Sequence, residues 1–353
     1  MADGMSATAE RLGRFSPWRL RALLDGCLGL AVLGYLLWTA ATFLGTVSWY
    51  FDITTHFRPH LVAAAAALAV TLVAARRPWW VVPLALAASV HVAVLLRPVP
   101  IPTASGPGPA LRLTEFNLLV DNTRYRDAVD YLRGQRPDVL VTVEANWGWQ
   151  KALRGLSDVL PYSTTDLVKR PADLESVVMS RFPVKAFSVE MPRDARGQVL
   201  GVPALRVVLD VSGTDVVVWA VHPPSPLDWW DWHARNAYHQ WVAARAAAED
   251  PRTPVIVAGD YNQTPWTPWH ERFLEHSGLL DAAGTSWPAP TRHPFWPFAW
   301  RFLAIPIDRI SVRPGTGVTD LHVGPFLGSD HYPVTADLVL GRPPAAPSAE
   351  AAP

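Results

Sequence analysis

VIVAGDYNQTPW, residues 255–266, is the stretch from which the rest of this 353-residue chain can be read. Its Val, Ile and Ala run fits a strand buried on both faces. The run ends in Gly-Asp-Tyr-Asn. Gly259 lets another backbone approach closely. Asp260 and Asn262 are two residues apart, so both can project from one side of the strand end. A carboxylate beside an amide suits activation of water and orientation of a phosphate. Asp and Asn are equally at home in ordinary turns, so the stretch carries chemistry only if other polar groups converge on it.

Working outward, further β-like runs occupy residues 111–117, 139–144, 176–180, 204–210, 215–222, 308–312 and 334–340. Helical patterns fall at 124–134, 231–249 and 268–278. Hairpin-type and helical connections both occur, which predicts two packed sheets with helices on the outside, an α/β sandwich. Asn117, Glu144, His222, Asp260 and Asp330 all lie at or just past the end of such a run, or in a loop. Catalytic groups gather at such places on a rigid scaffold.

The separate pieces each have a chemical and a plain reading. GSDHYP (328–333) puts Asp330 beside His331, a pair suited to a metal contact and an acid/base group, or simply to a polar turn. Asp308, in PIDR (306–309), can orient an imidazole as carboxylates do in catalytic pairs, or be structural. Glu144 ends DVLVTVE (138–144). A hard Mg²⁺ ion needs only one or two such carboxylates, although a surface glutamate is the commoner case. His222 ends VVVWAVH (216–222) and precedes two prolines.

The N-terminal part is of another kind. Hydrophobic residues make up 50% of the chain and charged residues 18%, against roughly 25% charged in an average soluble domain. The apolar excess sits before Pro100. Residues 23–47, 61–75 and 79–96 form three apolar runs, the first long enough to cross a hydrocarbon core of roughly 30 Å. Arg11, Arg14, Arg19 and Arg21 precede the first run, and Arg76 and Arg77 separate the second from the third. The positive-inside rule then puts the N-terminus in the cytoplasm and the chain after Pro100 outside; if 61–75 does not insert, the number of spans becomes even and the domain faces the cytoplasm. The organisation expected is a cytoplasmic segment 1–22, a transmembrane region 23–97 of about three helices, a Pro/Gly-rich tether 98–109, a catalytic domain 110–341 and a disordered tail 342–353. The single cysteine, Cys27, excludes an internal disulfide framework and a cysteine zinc site. Residues 110–340 carry 22 Lys/Arg against 26 Asp/Glu, which disfavours a nonspecific nucleic-acid binder.

Taken in order, TEFNLLVDN, PDVLVTVEAN, VVMSRFPV, VHPP, VAGDYNQTPW, IDRI and GSDHYPV resemble the endonuclease/exonuclease/phosphatase superfamily over nearly all of residues 111–340. With the multi-span N-terminus, the chain looks like the membrane-anchored bacterial branch that includes the teicoplanin-resistance membrane proteins of actinomycetes. The resemblance implies a four-layered α/β sandwich after the α-helical transmembrane region, and a Mg²⁺-dependent phosphoesterase, with Mn²⁺ as the alternative ion. It implies Glu144 as principal metal ligand, with Asn117 beside it and Asp330 near the metal. Asp260 and Asn262 would position and activate the attacking water, Asp308 would orient His331, and His331 would contact the scissile phosphate, with either Asp260 or His331 as the group that removes the water's proton. His222 matches a position where some members use a histidine as acid. Arg181 and Arg206 are candidate phosphate contacts. The sequence departs from several nucleases of the family at Leu119, where they carry an acid, which counts against a second metal site and against nuclease activity.

Tryptophans crowd the segments beside these motifs: Trp229, Trp230 and Trp232; Trp266 and Trp269; Trp287, Trp296 and Trp300, with Phe295 and Phe298. Part of this set is core, yet Trp also favours membrane–water interfaces. The expected partners are the lipid bilayer and a lipid-linked phosphate substrate of the cell envelope, linked to glycopeptide resistance, and no protein partner is expected. The alternatives are a tethered extracytoplasmic nuclease and a binding module that kept the fold without catalysis.

Overall fold

The computed structural model describes residues 17–170, 174–293 and 303–341; the expected tail and the aromatic residues at 295–300 lie outside them. Two compact units are formed. One takes the chain up to Phe43 together with Arg58–Ala93, and the other takes Leu44–Phe57 together with everything from Val94.

The first unit is built from α1 (Pro17–Ala41), α3 (Arg58–Ala74) and α4 (Val81–Leu95); the short helix α2 (Trp49–Thr55) belongs to the second unit. Trp18–Leu44 and Pro78–Leu95, of 27 and 18 residues, are each long and apolar enough to cross a membrane. α3 qualifies only if it is joined with α2 as one broken span. Outward-facing Leu30 and Val70 are each 70% exposed, the pattern of helices whose apolar faces meet lipid. Two sets of polar side chains tie the unit together. Asp25 at the start of α1 holds Arg77 after α3 (Nε–Oδ1 2.9 Å). At the other end His91 of α4 lies between Arg58 at the start of α3 (3.2 Å) and Thr39 near the end of α1 (3.0 Å). These two ties at opposite ends fix an up-down-up arrangement of α1, α3 and α4.

The second unit contains two six-stranded mixed sheets. β1 (Ala110–Asn117), β2 (Val139–Val143), β3 (Tyr162–Ser163), β4 (Val177–Ser180), β11 (Thr316–Val323) and β12 (Val334–Leu340) form one, in the order β11-β12-β1-β2-β4-β3. β5 (Val184–Glu190), β6 (Ala204–Val211), β7 (Thr214–Val221), β8 (Val255–Asp260), β9 (Leu280–Asp281) and β10 (Asp308–Val312) form the other, in the order β5-β6-β7-β8-β10-β9. Only β1–β2 and β7–β8 pair in parallel; the other pairs are antiparallel. Leu113, Val141, Val207, Val218, Ile256 and Ile310 fill the core between the sheets. α5 (Tyr125–Gln135) and α6 (Trp147–Leu153) cover the outer face of the first sheet through Leu132 and Trp149. α7 (Trp229–Ala248) and α8 (Pro268–Ser277) cover the second through Tyr238 and Phe273. The result is the expected four-layered sandwich.

β5, β11 and α6 go beyond the sequence reading. β5 and β11 are edge strands with mostly half-exposed side chains, so neither carries the apolar run that marks a central strand. The free tether expected at 98–109 is corrected. This segment has no regular element, yet the Pro102 carbonyl accepts from Val318 N at 3.1 Å and the Pro109 carbonyl from Leu340 N at 3.0 Å, and Arg97 pairs with Glu271 at 3.0 Å. Proline lacks an N–H but keeps its acceptor, so the segment lies along the domain as a cap on strand-edge donors.

Candidate active site

The two parallel pairs each deliver two polar residues at their C-terminal ends: Asn117 and Glu144 after β1 and β2, His222 and Asp260 after β7 and β8. Gly259 makes the second pair possible. Its φ is +151°, and a Cβ there would sit 1.9 Å from the Val221 carbonyl oxygen, so only glycine allows β7 this close to β8. Glu144 and Asn262 adopt left-handed backbone at φ +55° and +50°, a conformation that costs non-glycine residues on the order of 1 kcal/mol or more and is concentrated at functional sites.

Glu144, His222, Asp260 and Asn262 line a cavity of about 380 Å³ with Asp330, His331, Glu175 and Arg292, and Asn117 is hydrogen-bonded to two of them. Asn117 Nδ2 donates to Glu144 Oε1 (2.9 Å) and Asp260 Oδ2 (3.2 Å), and its Oδ1 accepts from Leu119 N. Glu144 Oε2 accepts from Val120 N at 3.0 Å. Asn262 donates its N–H to Asp260 Oδ1 (2.8 Å) and its Nδ2 to the Pro223 carbonyl (3.0 Å). His331 Nδ1 donates to Asp308, with both carboxylate oxygens at 2.8 and 2.9 Å. That contact fixes the tautomer and leaves Nε2 3.6 Å from Asp260.

Burial opposes a charge on His331, but the surrounding Asp308, Asp260 and Asp330 carboxylates outweigh it and push the imidazole up to about 9. His222 is raised against its burial by the Glu175 hydrogen bond (3.1 Å) and by the Asp260, Glu175 and Glu144 charges. Asp260 is raised above the usual carboxylate range, first by burial; the Asp308 charge adds to this while His331 opposes it. At neutral pH the pocket therefore presents a proton-bearing His331 and a His222 whose affinity for a proton is raised, beside a carboxylate whose basicity is increased.

The oxygen donors suit a hard divalent cation. Glu144 and Asp330 offer carboxylate oxygens, with Asp330 Oδ1 buried and without a hydrogen-bond partner; Asn117 stands beside Glu144 with Nδ2 toward it and Oδ1 taken by Leu119 N. Asp260, Asp308 and His331 also bring ligand atoms within 4.8 Å of one another. Asp308, however, is already engaged with His331 Nδ1 through both oxygens, so that trio reads as a proton-handling group.

The structure thus brings together Asn117, Glu144, His222, Asp260, Asn262, Asp308, Asp330 and His331. It does not bring Arg181 or Arg206 to the pocket. Arg181 pairs with Asp138 at 2.8 Å and Arg206 with Glu249 at 2.5 Å, and neither lines the cavity. The cation that does is Arg292, whose Nη2 lies 3.4 Å from Asp330 Oδ2. Glu175, the partner of His222, was likewise not read from the sequence. Both sit in irregular segments with no periodic or motif signal, although Glu175 directly precedes the recognised strand of VVMSRFPV. Trp232 and Trp266 are buried, while Trp229, Trp230 and Trp287 are exposed, so only part of the expected tryptophan set is available at the surface.

A family model described as the endonuclease/exonuclease/phosphatase family matches residues 114–331. Among solved structures, an endonuclease/exonuclease/phosphatase from Beutenbergia cavernae is 24% identical, with 67% of this chain and 73% of that chain covered and a TM-score of 0.50. TDP2 of D. rerio, humanized by 14 mutations, is 15% identical, with 65% and 98% covered and a TM-score of 0.51. The human Nocturnin catalytic domain with bound sulfate is 18% identical, with 67% and 96% covered and a TM-score of 0.50. At these identities the likeness is one of fold. No curated protein matches the chain.

Proposed function

The chain belongs to the endonuclease/exonuclease/phosphatase family, and from that premise we propose that it is a membrane-anchored, divalent-metal-dependent phosphoesterase hydrolysing a phosphate ester or pyrophosphate of a lipid-linked cell-envelope substrate. Members of the family are metal-dependent phosphoester hydrolases. The observation that carries the reading is the Asp308–His331–Asp260 relay, whose His331 and Asp260 share one cavity with Glu144 and Asp330.

Asp260 takes the proton of the attacking water as the water oxygen bonds to phosphorus opposite the leaving group. Its raised basicity suits that part, and a proton-bearing His331 does not. His331 Nε2–H and Arg292 hold the phosphate oxygens. Asn262 keeps Asp260 Oδ1 in place through its backbone N–H. His222, whose affinity for a proton Glu175 raises, gives its proton to the leaving oxygen as the P–O bond breaks. Glu144, Asn117 and Asp330 would hold the metal, which when bound supplies charge neutralisation at the phosphate. Mg²⁺ is the ion proposed, with Mn²⁺ as a substitute.

A lipid substrate is favoured by the cavity wall. Leu119, Val202, Pro223 and Pro224 line it, and the chain continuing from Pro224 into the start of α7 exposes Leu227, Trp229 and Trp230 (75, 45 and 72%). An apolar wall leading to exposed tryptophans suits an amphiphile at a membrane surface. Membrane topology is supported by two features. The up-down-up bundle gathers Arg19, Arg21, Arg76 and Arg77 toward one end. α2 is an integral part of the catalytic unit, so the chain between residues 58 and 93 leaves that compartment and returns to it, which needs an even number of crossings. With the basic end inside, three spans place the catalytic unit outside the cytoplasm. The resemblance to the actinomycete branch extends the proposal to glycopeptide resistance.

The test is phosphate release by the full-length protein in micelles from undecaprenyl pyrophosphate, a lipid phosphodiester and DNA, with Mg²⁺ or EDTA, for wild type and His331→Ala. Metal-dependent turnover of lipid substrate, lost in the variant, is the expected result. Cleavage of DNA alone would replace the reading with a nuclease.

A further inference from the structure

We propose that Asp52, carried by a helix lying between the first two apolar segments, is a positioning residue for the active site, acting through Arg235 on Asn262. Asp52 and Arg235 are both fully buried and joined at 2.5 Å. Arg235 sits on α7, and its Nη1 donates to the Asn262 carbonyl at 3.1 Å. Its Nε and Nη2 also engage Asn236 Oδ1, at 3.0 and 2.6 Å. Trp232 Nε1 donates to the same Asp52 oxygen at 3.0 Å.

The chemistry says why a charge is needed. A guanidinium taken wholly out of water is very costly unless an anion is placed against it. Asp52 is the only carboxylate hydrogen-bonded to Arg235 among the described residues. Asn262 stands in the left-handed region at φ +50°. Its two other polar contacts, N–H to Asp260 Oδ1 and Nδ2 to the Pro223 carbonyl, aim it into the cavity, and the Arg235 contact holds its carbonyl from behind. The loop that orients Asp260 is thus braced by a residue about two hundred positions earlier in the chain. The catalytic unit is completed by residues 44–57, and a protein cut at the Pro-rich segment would lack that brace.

This inference rests on the phosphoesterase reading, so its test includes a measurement that does not need turnover. Full-length wild type, Asp52→Asn, Asp52→Glu and the double variant Asp52→Leu/Arg235→Met are compared in detergent. The measurements are hydrogen exchange of the peptide spanning 259–265, thermal unfolding, and kcat and KM on bis(4-nitrophenyl) phosphate with Mg²⁺. Asp52→Asn is expected to speed exchange in that peptide and lower kcat roughly 10- to 100-fold, the range a small misplacement costs, with KM within about threefold. Asp52→Glu should recover part of both. The double variant removes both buried charges and should regain thermal stability while exchange stays fast and kcat stays low. Wild-type exchange in 259–265 for Asp52→Asn, or wild-type kcat in the double variant, would reduce the pair to a structural tie and overturn the proposal. If wild type turns over no phosphoester, the functional reading fails and exchange alone decides the role of Asp52.

Discussion

At the scale of single residues, the site is governed by how carboxylates set the protonation of the two imidazoles. The Asp308 carboxylate supplies much of the charge that raises His331 to about 9. Asp308→Asn removes it, so His331 should lose its proton at lower pH. The expected outcome is that the alkaline limb of the kcat/KM profile moves from near pH 9 toward neutrality and kcat falls about 100- to 1000-fold. An unmoved alkaline limb would show that His331 is not the group reported. His239 gives an independent test of stability. Burial pushes it down to about 3, and its Nε2 donates to the Tyr261 carbonyl at 2.8 Å. The unfolded chain takes up a proton below about pH 6.5 and the native one does not. Stability is therefore intact above pH 6.5 and lost as pH falls from there toward 3. The loss from this residue between pH 7 and pH 5 is about 2 kcal/mol, and His239→Gln should flatten that part of the Tm-against-pH curve while keeping an N–H for Tyr261.

At the scale of elements, two features set the site and its surroundings. The β7–β8 pairing depends on Gly259. Gly259→Ala drives a methyl into the Val221 carbonyl and should cost about 3 kcal/mol, read as a lowered denaturation midpoint with unchanged slope. A Tm within one degree of wild type would mean that the strands can part without loss. Leu227 and the first two residues of α7, Trp229 and Trp230, are exposed apolar side chains that follow the cavity-lining Pro223 and Pro224. Replacing Trp229 and Trp230 by serine should raise KM for a micellar lipid substrate about tenfold and leave turnover of a soluble phosphodiester within twofold, since the pair touches neither Asp260 nor His331. Equal loss on both substrates would argue against an interfacial role.

At the scale of the whole molecule, the topology is the testable quantity. The only native cysteine is Cys27 in α1. In a Cys27→Ser background, single cysteines at Thr46 and at Ser105 should react with an impermeant maleimide on intact cells, and one at Arg76 should not. Labelling at Arg76 with protection at Ser105 would invert the orientation. In the proposed topology a loop leaving the first span emerges in the compartment where the domain folds, and residues 44–57 belong to the same compact unit as the catalytic strands, with Asp52 paired to Arg235.

The sequence by itself determined the strands of the two sheet centres, the three apolar segments and the acids and histidines at strand ends. These are local signals: central strands buried on both faces must be apolar runs, and a polar residue ending such a run stands out against it. What only the tertiary structure decided is where charges find partners. Arg181 and Arg206 look the same in sequence as Arg292, yet two are taken by Asp138 and Glu249 and one faces the cavity. Glu175 matters because folding brings it to His222, and Asp52 because it meets Arg235. Hydrophobic periodicity is written along the chain, whereas the pairing of buried charges depends on which distant segments the fold brings within a few ångströms of one another, and no local pattern encodes that.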